Sequence, residues 1–421
     1  MQSTLLLDQS LTLTSRLELS QLLTESLYFN FTLLKNPRFK ISTTSSKQHS
    51  TSNYNTAAAV AAAGICCIDF DQSQGQFLLS GDTRGAIKLF KVDLRAEDED
   101  SSELISDIRS KSIGVTDLQW WPNDPGMFLS ASYDGVLQIW DTSTLTSAFQ
   151  FQINNDHNSY CHFSVNTINL NLISVATDSK TIRLVDLRTT STSQSIIGHE
   201  SSVISCEWSP TKEMVLASGD ANGEVKIWDV RFMKRCLVSL DIQRTYNSVS
   251  QQEQAEDTEI AKRPKLHSVK RSTTKAHIGA VNGLKFHENG KTLITTGTDD
   301  KIRVWDLDHN AVNTLLNFGP LVRNKRRTNC KKMIVSPIEE TDVQYLFYPS
   351  DITGEILLFR LFDGKLVSRL KESNNTAANN LCMSYAGLNS GILFTGLSNG
   401  EIQTWGNKRD DLDCYHLADS Y

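Results

Sequence analysis

The chain has 421 residues, 39% hydrophobic and 21% charged, the balance of a folded protein with room for one large domain or two to three ordinary ones. A net charge of −6 argues against a protein held on duplex DNA mainly by phosphate contacts. The longest apolar run, residues 57–65, is about half of the roughly 20 residues that cross a bilayer. The early leucines are interrupted by Asp8 with no basic stretch before them, so neither a membrane span nor a secretory signal is predicted, and a soluble intracellular protein is expected.

The first predicted element is a helix. Ser15-Arg16-Leu17-Glu18 has the pattern of a capping box, and Leu19, Leu22, Leu23 and Leu27 recur at helical spacing. Its apolar stripe calls for a cover, either the rest of the chain or a partner. Phe39-Lys40-Ile41 reads as a short strand, and residues 27–34 are an alternative strand. Residues 42–63 are rich in Ser and Thr and end in an alanine run, a composition that predicts a mobile loop.

From residue 64 onward one unit repeats: a tight turn, then a strand that ends in an aromatic or apolar residue. Arg84-Gly85 leads to Phe90, Asp134-Gly135 to Trp140, Asn222-Gly223 to Trp228, Thr353-Gly354 to Phe359 and Asn399-Gly400 to Trp405. Ser179-Lys180 to Val185 and Asp299-Asp300 to Trp305 fit without the glycine. Asn-Gly and Asp-Gly suit two-residue hairpin loops, in which both positions need φ > 0. Each turn is preceded by a short apolar strand, such as Met127-Phe128-Leu129, and each of these by another, such as Val203 to Trp208. Strand, strand, hairpin, strand is a propeller blade. The strand ends fall about 45 residues apart. The interval from Trp228 to Trp305 is longer by about 30 residues. That excess is an insertion over residues 243–275, basic at Lys262-Arg263-Pro264-Lys265. Such a cluster is either a solvated loop or a nuclear import signal. The acidic residues 96–103 predict another exposed loop.

Gly198-His199 opens and Trp228-Asp229 closes one unit; Ala276-His277 and Trp305-Asp306 frame the next. This resembles the WD-repeat signature, which implies an all-β, seven-bladed WD-repeat β-propeller with a short N-terminal helical segment. The expected domains are residues 1–36, a propeller over 37–406, and a polar tail over 407–421. The last blade lacks a C-terminal fourth strand, so an N-terminal strand, Phe39 to Ile41 or the 27–34 alternative, is expected to close the ring. The resemblance also implies a buried structural tetrad of His277, Thr296, Asp299 and Trp305, with a weaker version in the fourth blade, where Asn222 replaces the turn aspartate.

No catalytic motif, cofactor site or metal site is expected. The glycines belong to hairpin turns, so none forms a phosphate cradle before a helix. The eight cysteines include no CxxC pair, which points to buried reduced thiols. An interaction protein is expected, not an enzyme.

Residues 115–145 carry a more specific pattern: Gln119-Trp120, Pro122, Asp124, Gly126-Met127-Phe128, then Trp140-Asp141-Thr142 and Thr144-Leu145. With Val225 to Arg231, Ala276-His277 through Leu284, and Asn317-Phe318-Gly319, this is similar to the Cockayne syndrome A family over most of residues 64–406. The resemblance implies a substrate receptor of a cullin-4 ubiquitin ligase in transcription-coupled nucleotide excision repair. Its partners would be an adaptor of the damaged-DNA-binding protein 1 type and repair or transcription-arrest proteins, and its address the nucleus. It marks Trp228-Asp229-Val230-Arg231 as a full receptor motif and Val185-Asp186-Leu187-Arg188 as a partial one. Arg231, with Arg188, Asp229 and Trp228, is the expected adaptor contact, and the stripe containing Leu19, Leu22 and Leu23 a second. The alternative is a nuclear WD-repeat scaffold of a repair or transcription complex without ubiquitin transfer.

Overall fold

Each of the seven turn-plus-strand copies forms the third strand of a four-stranded antiparallel sheet in the computed structural model. The structure describes residues 32–33, 63–92, 102–109, 114–153, 160–189, 191–232, 235–243, 275–309, 311–314, 318, 322, 324, 330–338, 343–351, 354–371, 379–386 and 391–406. In the fourth blade the strands run Val203–Trp208, Val215–Asp220, Val225–Asp229 and Cys236–Ser239, in that spatial order. In the fifth they are Val281–Phe286, Thr292–Gly297, Lys301–Asp306 and Val312–Asn313. First strands of neighbouring blades pack against one another from blade one to blade five and between blades six and seven, around a central channel, and the first strand of blade one, Ile65–Phe70, also meets that of blade seven, Asn380–Ala386.

The seam differs in position from the first expectation. Thr32–Leu33 pairs antiparallel with Ile402–Gly406, Leu33 opposite Trp405, and supplies the fourth strand of blade seven. This lies within the alternative range 27–34, and the ring therefore draws on chain before residue 37. Residues 39–41 lie outside the described residues, as do the predicted helix and the 407–421 tail. The pairing covers the open edge of Ile402–Gly406, which would otherwise expose unpaired backbone groups.

Between blades the core is built from the side chains that alternate onto each sheet face. Phe128 sits between Trp120 and Trp140, with ring centroids 5.9 Å from each. Each fully buried large apolar side chain of this kind contributes about 1.5–3 kcal/mol. Gly223 is a required glycine: its φ is +94°, and a Cβ there would collide with the His277 carbonyl. Its own carbonyl accepts from the Ala276 and His277 amides at 2.9 and 3.0 Å, which ties the fourth blade's turn to the entry of the fifth.

The two described ends of the insertion meet, where Ile242 N donates to Lys275 O at 2.9 Å. The expected acidic loop is shorter than 96–103, since Ser102–Arg109 is the outer strand of blade one. The seven described cysteines are free thiols. No helix among the described residues is long and apolar enough to cross a membrane.

Candidate partner-binding face

The histidines of blades four and five are buried in side-chain hydrogen-bond networks. In blade five Trp305 Nε1 donates to Thr295 Oγ1 at 2.9 Å, Thr295 Oγ1 lies 2.7 Å from His277 Nε2, and His277 Nδ1 lies 2.9 Å from Asp299 Oδ1. Three of the four expected tetrad residues are in place, and the hydroxyl is Thr295 where Thr296 was expected. Leu293 lies directly opposite Trp305, so the residue two further on shares its face and reaches the indole nitrogen. Thr296 points the other way, where its Oγ1 accepts from Asn324 Nδ2 at 3.2 Å. The spacing holds in every Trp-ending blade: Trp140 to Ser130, Trp228 to Ser218 and Trp405 to Thr395 are the same pair. A search for a hydroxyl ten residues before each Trp finds it from sequence.

In blade four Trp228 Nε1 and His199 Nε2 meet at Ser218 Oγ, at 2.7 and 2.6 Å. Asn222 does not supply the acid. Two carboxylates face His199 Nδ1 instead, Asp220 Oδ2 at 3.4 Å and Glu224 Oε2 at 3.8 Å. Sequence reasoning missed both because they stand two residues to either side of the position where the motif places its acid.

The channel holds a buried polar network around a cavity of about 420 Å³. Lys332 Nζ binds Asp117 Oδ1 at 2.7 Å and the Leu118 carbonyl at 2.8 Å. Glu207 pairs with Lys285 at 2.9 Å. His162 lies between Asp117 and Cys206, 3.7 Å from the carboxylate and 3.9 Å from the thiol. This arrangement has the residue types of a thiol hydrolase but not its electrostatics. Burial pushes the Cys206 thiol up to about 12 and lowers the His162 imidazole, so at neutral pH the sulfur keeps its proton.

The ends of the third strands build a different surface. Val230–Phe232 is a 3-10 turn immediately after Val225–Asp229, and Asp229 Oδ1 accepts the Arg231 amide at 3.0 Å. The same carboxylate is gripped by the guanidinium, with Arg231 Nε on Oδ1 at 2.9 Å and Nη2 on Oδ2 at 2.6 Å. Blade three repeats this at Asp186 and Arg188, with 3.1 and 2.9 Å. Both aspartates are held below the ordinary carboxylate range by their arginines. Both arginine side chains are 65% exposed, while the aspartates are largely buried. Trp228 is buried inside the blade, so Arg231 is the part of the motif open to a partner and Asp229 is its clamp. Phe232, 67% exposed, and Ile168 add apolar surface on the same side of blades three and four. Asn169 Nδ2 donates to Glu213 Oε1 at 2.9 Å and braces the two blades there. Leu19, Leu22 and Leu23 lie outside the described residues.

The WD domain, G-beta repeat family matches residues 103–141, 190–229 and 268–306, the first three strands of blades two, four and five, with the outer strand of the preceding blade in the first two matches. The chain is similar to the WD repeat-containing protein ATCSA-1 of Arabidopsis thaliana, a Cockayne syndrome A homologue, at 27% identity across 80% of this chain and 84% of that one. It is 26% identical to Radiation-sensitive protein 28 of Saccharomyces cerevisiae over 46% of this chain and 38% of that one. DNA damage-binding protein CMR1 of Eremothecium gossypii is 28% identical over 40% of this chain and 34% of its own length.

Proposed function

From a WD-repeat propeller scaffold related to the Cockayne syndrome A protein and to other DNA-damage proteins, we propose a nuclear substrate receptor of a cullin-4 ubiquitin ligase, acting in transcription-coupled nucleotide excision repair. The observation that carries the reading is the repeated clamp of Arg188 and Arg231. Each guanidinium is pre-set by the aspartate two residues earlier, and the two occupy the same turn in adjacent blades. Only two of an arginine's five N–H donors are needed for such a clamp, so each keeps donors for a carboxylate of a damaged-DNA-binding protein 1 type adaptor. Arginine beside an exposed aromatic, here Phe232, is a common composition for an interface anchor. The leucine stripe of residues 15–27 supplies a second contact. The strand that follows it in sequence, Thr32–Leu33, lies in blade seven, across the ring from blades three and four. Clients are repair or transcription-arrest proteins. Lys262 to Lys265 in the insertion contributes to nuclear import.

The test is direct binding of the purified chain to the adaptor. Arg231→Ala is expected to weaken binding by about tenfold or more, the loss for a charge-assisted hydrogen bond, and Arg188→Ala by less. Deletion of residues 1–26, which leaves the seam strand in place, weakens it further. Equal adaptor recovery from all of these would remove the ligase reading. Recovery of repair or transcription proteins without adaptor or cullin favours a scaffold without ubiquitin transfer.

A further inference from the structure

Blade four departs from blade five at the atoms facing its histidine. In blade five the acid is single, the His277–Asp299 hydrogen bond is closed at 2.9 Å, and Arg303 Nη1 covers the other carboxylate oxygen at 2.8 Å. In blade four two acids converge on His199 Nδ1, and the side chains of His199 and Asp220 are almost fully buried. Asp220 Oδ1 is occupied, since it accepts the Asn222 and Glu224 amides at 3.0 and 2.8 Å. Its Oδ2 and His199 Nδ1 have no hydrogen-bond partner. One ligand atom from each of His199, Asp220 and Glu224 lies within 4.8 Å of the other two.

We propose that His199 Nδ1, Asp220 Oδ2 and a Glu224 carboxylate oxygen bind a zinc ion in the fourth blade. Ligands about 2.1 Å from a common zinc at tetrahedral angles stand about 3.4 Å apart. The 3.4 Å from His199 to Asp220 already meets this, and the Glu224 side chain, 3.8 Å from His199 and within 4.8 Å of the Asp220 oxygen, has to close on the ion. The donor set of one imidazole and two carboxylates suits zinc, with water as the fourth ligand. Ser218 Oγ accepts from Trp228 Nε1 and has a second lone pair for a proton on His199 Nε2. The imidazole is then neutral, and its Nδ1 lone pair faces the carboxylates. Lys226, whose Nζ lies 2.6 Å from Glu224 Oε2 and 2.7 Å from the Gly198 carbonyl, offsets one carboxylate charge and leaves the other to the metal.

The ammonium competes with the ion, and this separates a metal site from an ordinary structural tetrad. Full-length protein stripped by a chelator is titrated with zinc chloride, and separately with cobalt(II), with circular dichroism to verify the fold of each variant. Wild type should take up about one ion per chain and, with cobalt, show the strong visible absorption of a tetrahedral site. Glu224→Gln should weaken binding about tenfold or more. Lys226→Met should strengthen it several-fold, and Asp299→Asn in blade five should leave it unchanged. Asp220→Asn should abolish the cobalt signal. Should that variant lose the fold, because Oδ1 caps the turn, the Glu224 and Lys226 variants decide. No tetrahedral cobalt spectrum in wild type, equal affinity in Glu224→Gln, or no gain in Lys226→Met would each overturn the proposal.

Discussion

Lys332, from the segment that leads into blade six, reaches across the channel to Asp117 of blade two, with Nζ 2.7 Å from Oδ1. Two residues earlier, the Cys330 amide donates to the Tyr160 hydroxyl at 2.7 Å, on the approach to blade three. Burial opposes the Lys332 charge, yet Asp117 and Asp69 outweigh it and raise the group above its ordinary value. This crossing explains why the first strand of blade six is only Ile334–Val335: the residues before it serve the channel instead of the sheet.

Removal of Lys332 therefore leaves a buried carboxylate without its cation. Lys332→Met is expected to lower unfolding free energy by about 3 kcal/mol, as breaking a buried pair does. The double variant with Asp117→Asn should recover part of that loss, since both charges are gone. Urea denaturation of the four proteins in the cycle measures both. Independent, additive effects would show that the crossing pair is not coupled.

The tetrad register gives a second prediction. Thr295→Val leaves the Trp305 indole N–H and the His277 ring without their shared hydroxyl, at an expected cost of about 1–3 kcal/mol. Thr296→Val should cost less, because Asn324 keeps the Asn282 side chain and the Gly297 carbonyl as partners. Trp305→Ala should cost about 3–5 kcal/mol, the range for a large buried aromatic. A reversed order of the two threonine variants would contradict the observed geometry.

Acid should destabilise the fold in two steps. Burial lowers the His277 imidazole below its unfolded value, so the folded state resists the proton and stability declines as pH falls below about 6.5. Burial also opposes charge on Asp299, but the His277 hydrogen bond and Arg303 prevail and hold its carboxyl well below the ordinary range. Its contribution is complete above about pH 4 and is lost as pH falls towards the folded value. Denaturant midpoints measured from pH 8 to 3 should be flat, then fall, then fall more steeply. In Asp299→Asn the last segment should be shallower, and an unchanged slope would count against the assignment.

The seam distinguishes two truncations. Deletion of residues 1–35 removes the strand opposite Ile402–Gly406 and should lower the melting temperature and expose blade seven to proteolysis. Deletion of residues 1–26 spares the seam and should leave both unchanged. Closure by residues 39–41 instead would make the two truncations equally stable.

The blade count, the position of every third strand and the glycine turns were legible in the chain because hairpin chemistry is local: a turn residue and a following alternation define each copy without reference to its neighbours, although at Gly85, Gly135, Gly223 and Gly400 only the glycine takes φ > 0 where both turn positions were expected to. Trp228 and Trp305 were legible as strand ends for the same reason, and the roles of His277 and Asp299 through the resemblance to the WD-repeat signature. Contacts between distant segments were not. Thr295 rather than Thr296 follows from which strand face the indole shares, and a one-residue error exchanges the faces. Asp220 and Glu224 replaced Asn222 because a cross-strand turn can bring an acid to the histidine from more than one position. Asp117 and Lys332 stand 2.7 Å apart with most of the ring's sequence between them, and Thr32 closes a sheet begun at residue 380. Only ring closure, which brings the two ends of the chain and opposite blades together, determines such pairs.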